Sequence, residues 1–284
     1  MARLPRLNLP DIPQHIVQTG HNNLPCFFDD EDYEFYLQSL QAAAEQYRVE
    51  IHAYVLLPNM VQFIATPRIE QGLSSMMQSL GRRYVQYVNH RYRRSGTLWG
   101  GRYKSSLIDS DAYLLTCYRY VELKPMYLGL ANEPGEYPWS SFNFHTSLIE
   151  SPLIKDHRLY LKLGETARER VQAYRKLFRY AFDNRLLEYI AETVKLGQVL
   201  GGDAFKDRIE KIANQRVRPL KRGRPRKQDQ AQKTSENPKT ADPTPVENLP
   251  GPQTQASAQG TASSKPQARP RHTTPTDSPA VKEI

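Results

Sequence analysis

The sequence predicts an α+β protein: a ferredoxin-like antiparallel sheet with helices on one face, then a C-terminal helical extension and a disordered tail. Three observations carry this reading. Over residues 10–148 the hydrophobic period alternates between that of a strand and that of a helix, in the order β-α-β-β-α-β-α. Residues 160–215 read as short helices, the last two punctuated by Gly197, Gly201 and Gly202. Residues 228–284 contain no aromatic residue and many Pro, Gln, Thr and Ser, so they cannot bury enough apolar surface to offset their ordering entropy.

Each element has a local reason. "QHIVQT" reads as a strand. "DDEDYEFYLQSLQAAAEQYR" reads as a helix, with Asp29 as N-cap, acids in the first turn, and Tyr33, Tyr36, Leu37, Leu40 and Ala44 at helical spacing. "VEIHAYVLL" is a strand, and "MVQFIAT" pairs with it across the Pro58-Asn59 turn. "IEQGLSSMMQSLGRRYVQYVNHRYRR" is a second helix with an apolar stripe from Leu73 to Val88. "TLWGGRYKSSLI" is a strand weakened by Gly-Gly, and "DAYLLTCYRYVELK" is a third helix stopped by Pro125. The extension contains "ETARERVQAYRKLFRYAF", "NRLLEYIAETVKL" and "DAFKDRIEKIANQ". It reads either as an accessory DNA-contacting region or as a packing unit with no partner of its own.

Composition narrows the class. No run of 18 apolar residues exists, and "MARLPRLNLPDIPQ" lacks the apolar core of a signal peptide, so a cytoplasmic protein is expected. Cys26 and Cys117 are too few for a disulfide framework and read as buried thiols. The net charge is +9, of which residues 216–227 supply seven cations and no acid; residues 228–284 balance, so +9 less 7 leaves +2 for residues 1–215. So local a concentration of charge points to a polyanionic partner.

On the strand after Pro58-Asn59, Met60, Gln62 and Ile64 share one face, and Gln62 is a polar residue in an apolar run. His15 and His52 could in principle supply metal ligands, but each reads better as a structural histidine.

The phrases "IHAYVLLPNMVQFIATP", "MQSLGRRYVQYVNHRY", "GTLWGGRYKSSLIDSDAYLLTCYRYVELKP" and "YPWSSF" closely resemble the IS200-like single-tyrosine transposases, in particular the REP-associated branch. The likeness covers about residues 12–146, and the domain is taken as residues 10–148. "FKDRIEKIANQRVRPLKRGRPRK" resembles the C-terminal extension of longer members. The resemblance implies a nuclease of the His-hydrophobic-His type. In such enzymes two histidines on a strand hold a divalent metal, and a helix tyrosine attacks the phosphate of single-stranded DNA near a hairpin. A polar residue one turn after the tyrosine completes the metal site. The chemistry is reasonable on physical grounds, because a tyrosine hydroxyl is a weak nucleophile until aligned, and a metal neutralises the phosphate.

On this chain the implied strand ligands fall on Met60 and Gln62, the nucleophile on Tyr120, and the third ligand, usually Asn, on Lys124. A thioether suits a hard cation poorly and an ammonium repels one. Other departures are Gly100 where an acid is usual, Thr19 where an arginine is common, and "KPMYLGL" for "NPVRAGL". The expectation is therefore a DNA-binding relative with lost or impaired cleavage and no cofactor, although the family uses Mg or Mn. Two alternatives stay open: a working transposase with an altered metal site, and a nucleic-acid-binding regulator on the same scaffold.

Tyr120 reads either as a retained nucleophile or as a residue kept for packing or base stacking. Lys124 could hold a phosphate where relatives hold an ion. Arg82, Arg83, Arg102 and Lys104, interleaved with Tyr84, Tyr87, Tyr92 and Trp99, suit a single strand, since cations grip phosphates and aromatic faces stack bases. A solvated helix face above a tyrosine-rich core would give the same pattern. Arg218, Arg222, Arg224 and Arg226 lie in the basic run, where "KRGRPRK" resembles an AT-hook core suited to a narrow minor groove. The expected partner is DNA, single-stranded and hairpin-containing, with no membrane contact.

Overall fold

A computed structural model describes residues 6–218. Four strands form one antiparallel sheet in the order β2-β3-β1-β4: β1 (Gln14–Thr19), β2 (Val49–Leu57), β3 (Met60–Pro67) and β4 (Lys104–Leu107). β2 and β3 form the expected hairpin, with Leu57 opposite Met60.

One face is covered by α1 (Asp30–Gln46) and α2 (Gly72–Arg91). Asp29 caps α1 through a reciprocal box with Asp32, satisfying donors that the first turn leaves orphaned. Ile16, Leu56 and Phe63 of the sheet meet Tyr36 and Leu40 of α1 and Met76, Leu80 and Tyr84 of α2. Arg91 at the end of α2 bridges back to Asp29 and Glu31, tying the two helices together.

The expected one-face layering holds for α1 and α2, but the opposite face is covered too. There α3 (Ser110–Glu122) packs Leu114, Cys117, Tyr118 and Val121 on Ala53, Val55, Leu57 and Ile64. β2 is buried almost end to end, the pattern of a strand covered on both sides rather than an alternating one. The extension completes this layer. Tyr174 of α7 (Ala167–Leu177), Ile190 of α8 (Asn184–Leu196) and Leu200 join the same apolar cluster. Phe205 and Ile209 of α9 (Asp203–Ala213) pack with Leu107 and Val199.

Two local expectations are corrected. The strand predicted across residues 97–108 is reduced to Lys104–Leu107. Gly101, at φ 123°, has a conformation that L side chains rarely adopt, and before it only an isolated bridge joins Trp99 to Gly20. The third helix ends at Glu122, and a short α4 (Lys124–Tyr127) follows. Pro125 does not simply stop a helix: it sits in the first turn of α4, where its missing N–H costs nothing. Between α4 and α7 lie α5 (Phe142–Thr146) and α6 (Arg158–Leu161).

Both cysteines are buried and free, as expected, and burial pushes both thiols well above their ordinary pKa. No helix among the described residues is long and apolar enough to cross a membrane. The segment 219–227, with Arg222, Arg224 and Arg226, and the tail 228–284 lie outside the described residues.

Candidate functional site

Strand register assembles the site. β1 pairs with β3 so that Val17 faces Gln62 and Thr19 faces Met60, and with β4 so that Val17 faces Lys104. Directly paired residues project to the same side. Gln62, Val17 and Lys104 therefore form one row across three strands, and His15, Ile64 and Ser106 form the next. This is the face that α3 covers, because Ile64 and Tyr120 belong to one cluster.

The three strand residues are bonded to one another. The His15 ring lies 3.0 Å from Gln62 Oε1, and Gln62 Nε2 lies 3.1 Å from Met60 Sδ. A thioether sulfur offers only lone pairs, so the amide NH₂ must face Met60 and its carbonyl must face His15. His15 then donates through Nε2–H, and its buried Nδ1 has no partner among the described residues. Burial pulls the His15 pKa down to about 4; the Gln62 bond opposes this fall and the charge of Lys124 adds to it, so the imidazole is neutral at pH 7.

Tyr120 stands over this chain. Its ring meets His15 edge-on, with centroids 5.6 Å apart, and is 6% exposed. Burial raises the pKa of its hydroxyl, the opposite of what an activated nucleophile needs. Lys124 Nζ lies 5.2 Å from the Tyr120 ring centroid. Lys124 is half-buried, desolvation lowers its pKa, and no carboxylate pairs with it among the described residues.

A second cluster lies on the other side of α3. Glu122 is fully buried and accepts from Ser141 Oγ at 2.6 Å, His145 Nδ1 at 2.6 Å and Tyr174 OH at 2.7 Å. Ser141 Oγ also accepts from Tyr54 N on β2. One carboxylate thus binds α3, α5 and α7 together and reaches the sheet through Ser141. Residue spacing gave no sign of it, because its donors come from 19, 23 and 52 residues further along the chain.

The remaining predicted residues separate. Lys104 lies on the site face by register. Arg102 is exposed in the loop whose Gly100 N donates to Thr19 O, at the Met60 end of β1. Arg82 and Arg83 are exposed on α2, on the far side of the sheet from Tyr120, so the predicted cations do not form one patch. The Arg218 guanidinium pairs with Asp207 at 2.7 Å, Glu210 at 3.0 Å and Asp203 at 3.5 Å at the end of α9. The aromatics between the cations also turn inward. Tyr84 donates to Cys26 O, Tyr87 stacks on Phe35 at 3.9 Å, Tyr92 donates to Asp32, and Trp99 is buried.

His52 is a structural histidine, between Lys155 O and Thr66 Oγ1 at 2.6 and 2.8 Å. His15 is only half satisfied and belongs to the site. Its place on one face of β1, two residues before Val17, was the available sequence signal.

Comparison with known proteins agrees with this geometry in one respect above all: a family model described as "Transposase IS200 like" matches residues 9–124. Among solved structures, the REP-associated tyrosine transposase bound to a REP hairpin is similar at 16% identity and TM-score 0.46, over 55% of this chain and 93% of that one. A candidate transposase from Deinococcus radiodurans R1 is similar at 17% identity and TM-score 0.30, over 41% and 95%. No curated protein matches the sequence.

The family match corrects the expectation of no cofactor, since IS200-like transposases are metal-dependent and the group their fold implies is a divalent ion. The residues of this chain do not fit that ion. Gln62 is spent on His15 and Met60, Met60 offers a soft sulfur, and Lys124 brings a positive charge. Among the described residues no group of three or more His, Cys, Asp or Glu could hold a metal. The stretch similar to the IS200-like transposase model, residues 9–124, is less than half of the chain, and it contains all four strands together with Tyr120 and Lys124.

Proposed function

We propose that this protein binds structured single-stranded DNA on its transposase sheet, as a member of the REP-associated branch, with tyrosine-mediated cleavage lost or impaired. The observation that carries the reading is the closed chain His15–Gln62–Met60 beneath a protonated Tyr120. Side chains that would prepare a nucleophile are instead bonded to each other. The tyrosine has neither an anionic partner nor a paired base; its neighbours are a neutral imidazole and an ammonium. Such a constellation can position a strand by charge and hydrogen bonding but does little to develop a phenolate at neutral pH.

Binding needs cations at the right edge of the sheet, and Lys104, Arg102 and Lys124 supply them without carboxylate partners among the described residues. The test is an affinity comparison of a hairpin-bearing DNA strand, the matching duplex and an RNA of the same sequence. Preference for the hairpin-bearing strand is expected. Equal or tighter binding of RNA would favour a regulator on the same scaffold, and no binding of any of the three would sink the reading.

A further inference from the structure

We propose that Lys124 is the seat of a single phosphodiester group of the bound strand, its ammonium facing the Tyr120 ring and meeting no carboxylate. This deepens the DNA-binding reading above and rests on it.

Lys124 is an anomaly in its own neighbourhood. The buried Glu122, two residues earlier, has three donors. Arg119 donates to Tyr180 O and lies over the rings of Phe178 and Phe182. Arg91, Arg158 and Arg218 all pair with carboxylates. Lys124, like Arg119, is partly withdrawn from water against an aromatic face with no carboxylate beside it, but unlike Arg119 its side chain also has no hydrogen-bond acceptor among the described residues. Removing a cation from water without a partner is unfavourable unless something anionic arrives.

The second observation is His15. It is buried, bonded on one side to Gln62, and its Nδ1 is unpartnered. Neither the His15 ring nor the Tyr120 ring beside it brings a carboxylate to the ammonium, and no acidic side chain pairs with it among the described residues. The ligand that fits is small and singly negative, arriving on a chain that the flanking cations also attract. A phosphodiester meets each condition, and an ammonium binds it as a compact point charge.

The test measures the affinity of the full chain for a labelled hairpin-bearing single strand across a salt series, for the unmodified protein and for Lys124→Gln, Lys124→Met and Lys124→Arg. Both neutral variants should bind about tenfold more weakly. Their plots of log affinity against log salt should be shallower by about 0.7, the share of one phosphate on a single strand. Lys124→Arg should keep the slope. Neutral variants that keep the unmodified slope, or that disagree with each other, would overturn the phosphate seat while leaving DNA binding intact. Absence of binding by the unmodified chain would overturn both.

Discussion

Two charges two residues apart, Glu122 at the end of α3 and Lys124 at the start of α4, have opposite surroundings. Glu122 is buried and saturated by Ser141, His145 and Tyr174. Lys124 is half-buried and faces an aromatic ring, a neutral histidine and no counter-ion. A saturated charge holds architecture: it needs nothing further, and removing it strands its donors. An unsaturated one is a place where a ligand supplies what the fold leaves out. The contrast separates a charge that holds the fold together from one left open to a ligand.

The largest effect is expected at Glu122. Glu122→Ala should cost about 3–5 kcal/mol, because three buried donors lose a charged acceptor. A urea-unfolding midpoint measures this, and a loss below about 1 kcal/mol would break the comparison on its architectural side. Acid comes next. The His15 and His52 pKa values are lowered by burial to about 4, so the unfolded chain binds more protons than the folded one below the ordinary value of 6.5. Stability present above that pH should be lost as it falls toward 4, by on the order of 3 kcal/mol per imidazole. His15→Asn should flatten its share of the curve without touching the Glu122 cluster.

Tyr174→Phe should cost about 2 kcal/mol, the worth of one hydrogen bond to a buried carboxylate. It also tests whether α7 is held to α3 through that bond. The smallest effect belongs to Lys124. Lys124→Met should leave stability within about 1 kcal/mol or raise it slightly, since it removes an uncompensated charge from a desolvated position. A large destabilisation there would mean that Lys124 is architectural after all, and the distinction between the two charges would fail.

Much of the fold was legible because periodicity is a local property. The β2–β3 hairpin, α1 with its Asp29 cap, and the apolar stripe of α2 follow from neighbours a few residues apart. The Lys104–Leu107 strand was overextended because apolar alternation does not register the backbone that Gly100 and Gly101 impose. The site was legible in part. Met60, Gln62, Tyr120 and Lys124 could be named from local spacing and family likeness. His15 and Lys104 joined them only through β1 register, which couples residues dozens of positions apart. The acids of α9 that pair with Arg218 were not legible either, because a basic run reveals charge but not which acids the fold brings against it.

The most direct measurement is a covalent-adduct assay. The unmodified protein is incubated with a hairpin-bearing DNA strand and Mn²⁺, then separated under denaturing conditions. The account predicts a bound strand under native conditions and no adduct after denaturation. The triple variant Met60→His, Gln62→His, Lys124→Asn should recover some adduct if the scaffold is otherwise intact. An adduct formed by the unmodified chain and lost in Tyr120→Phe would contradict the account.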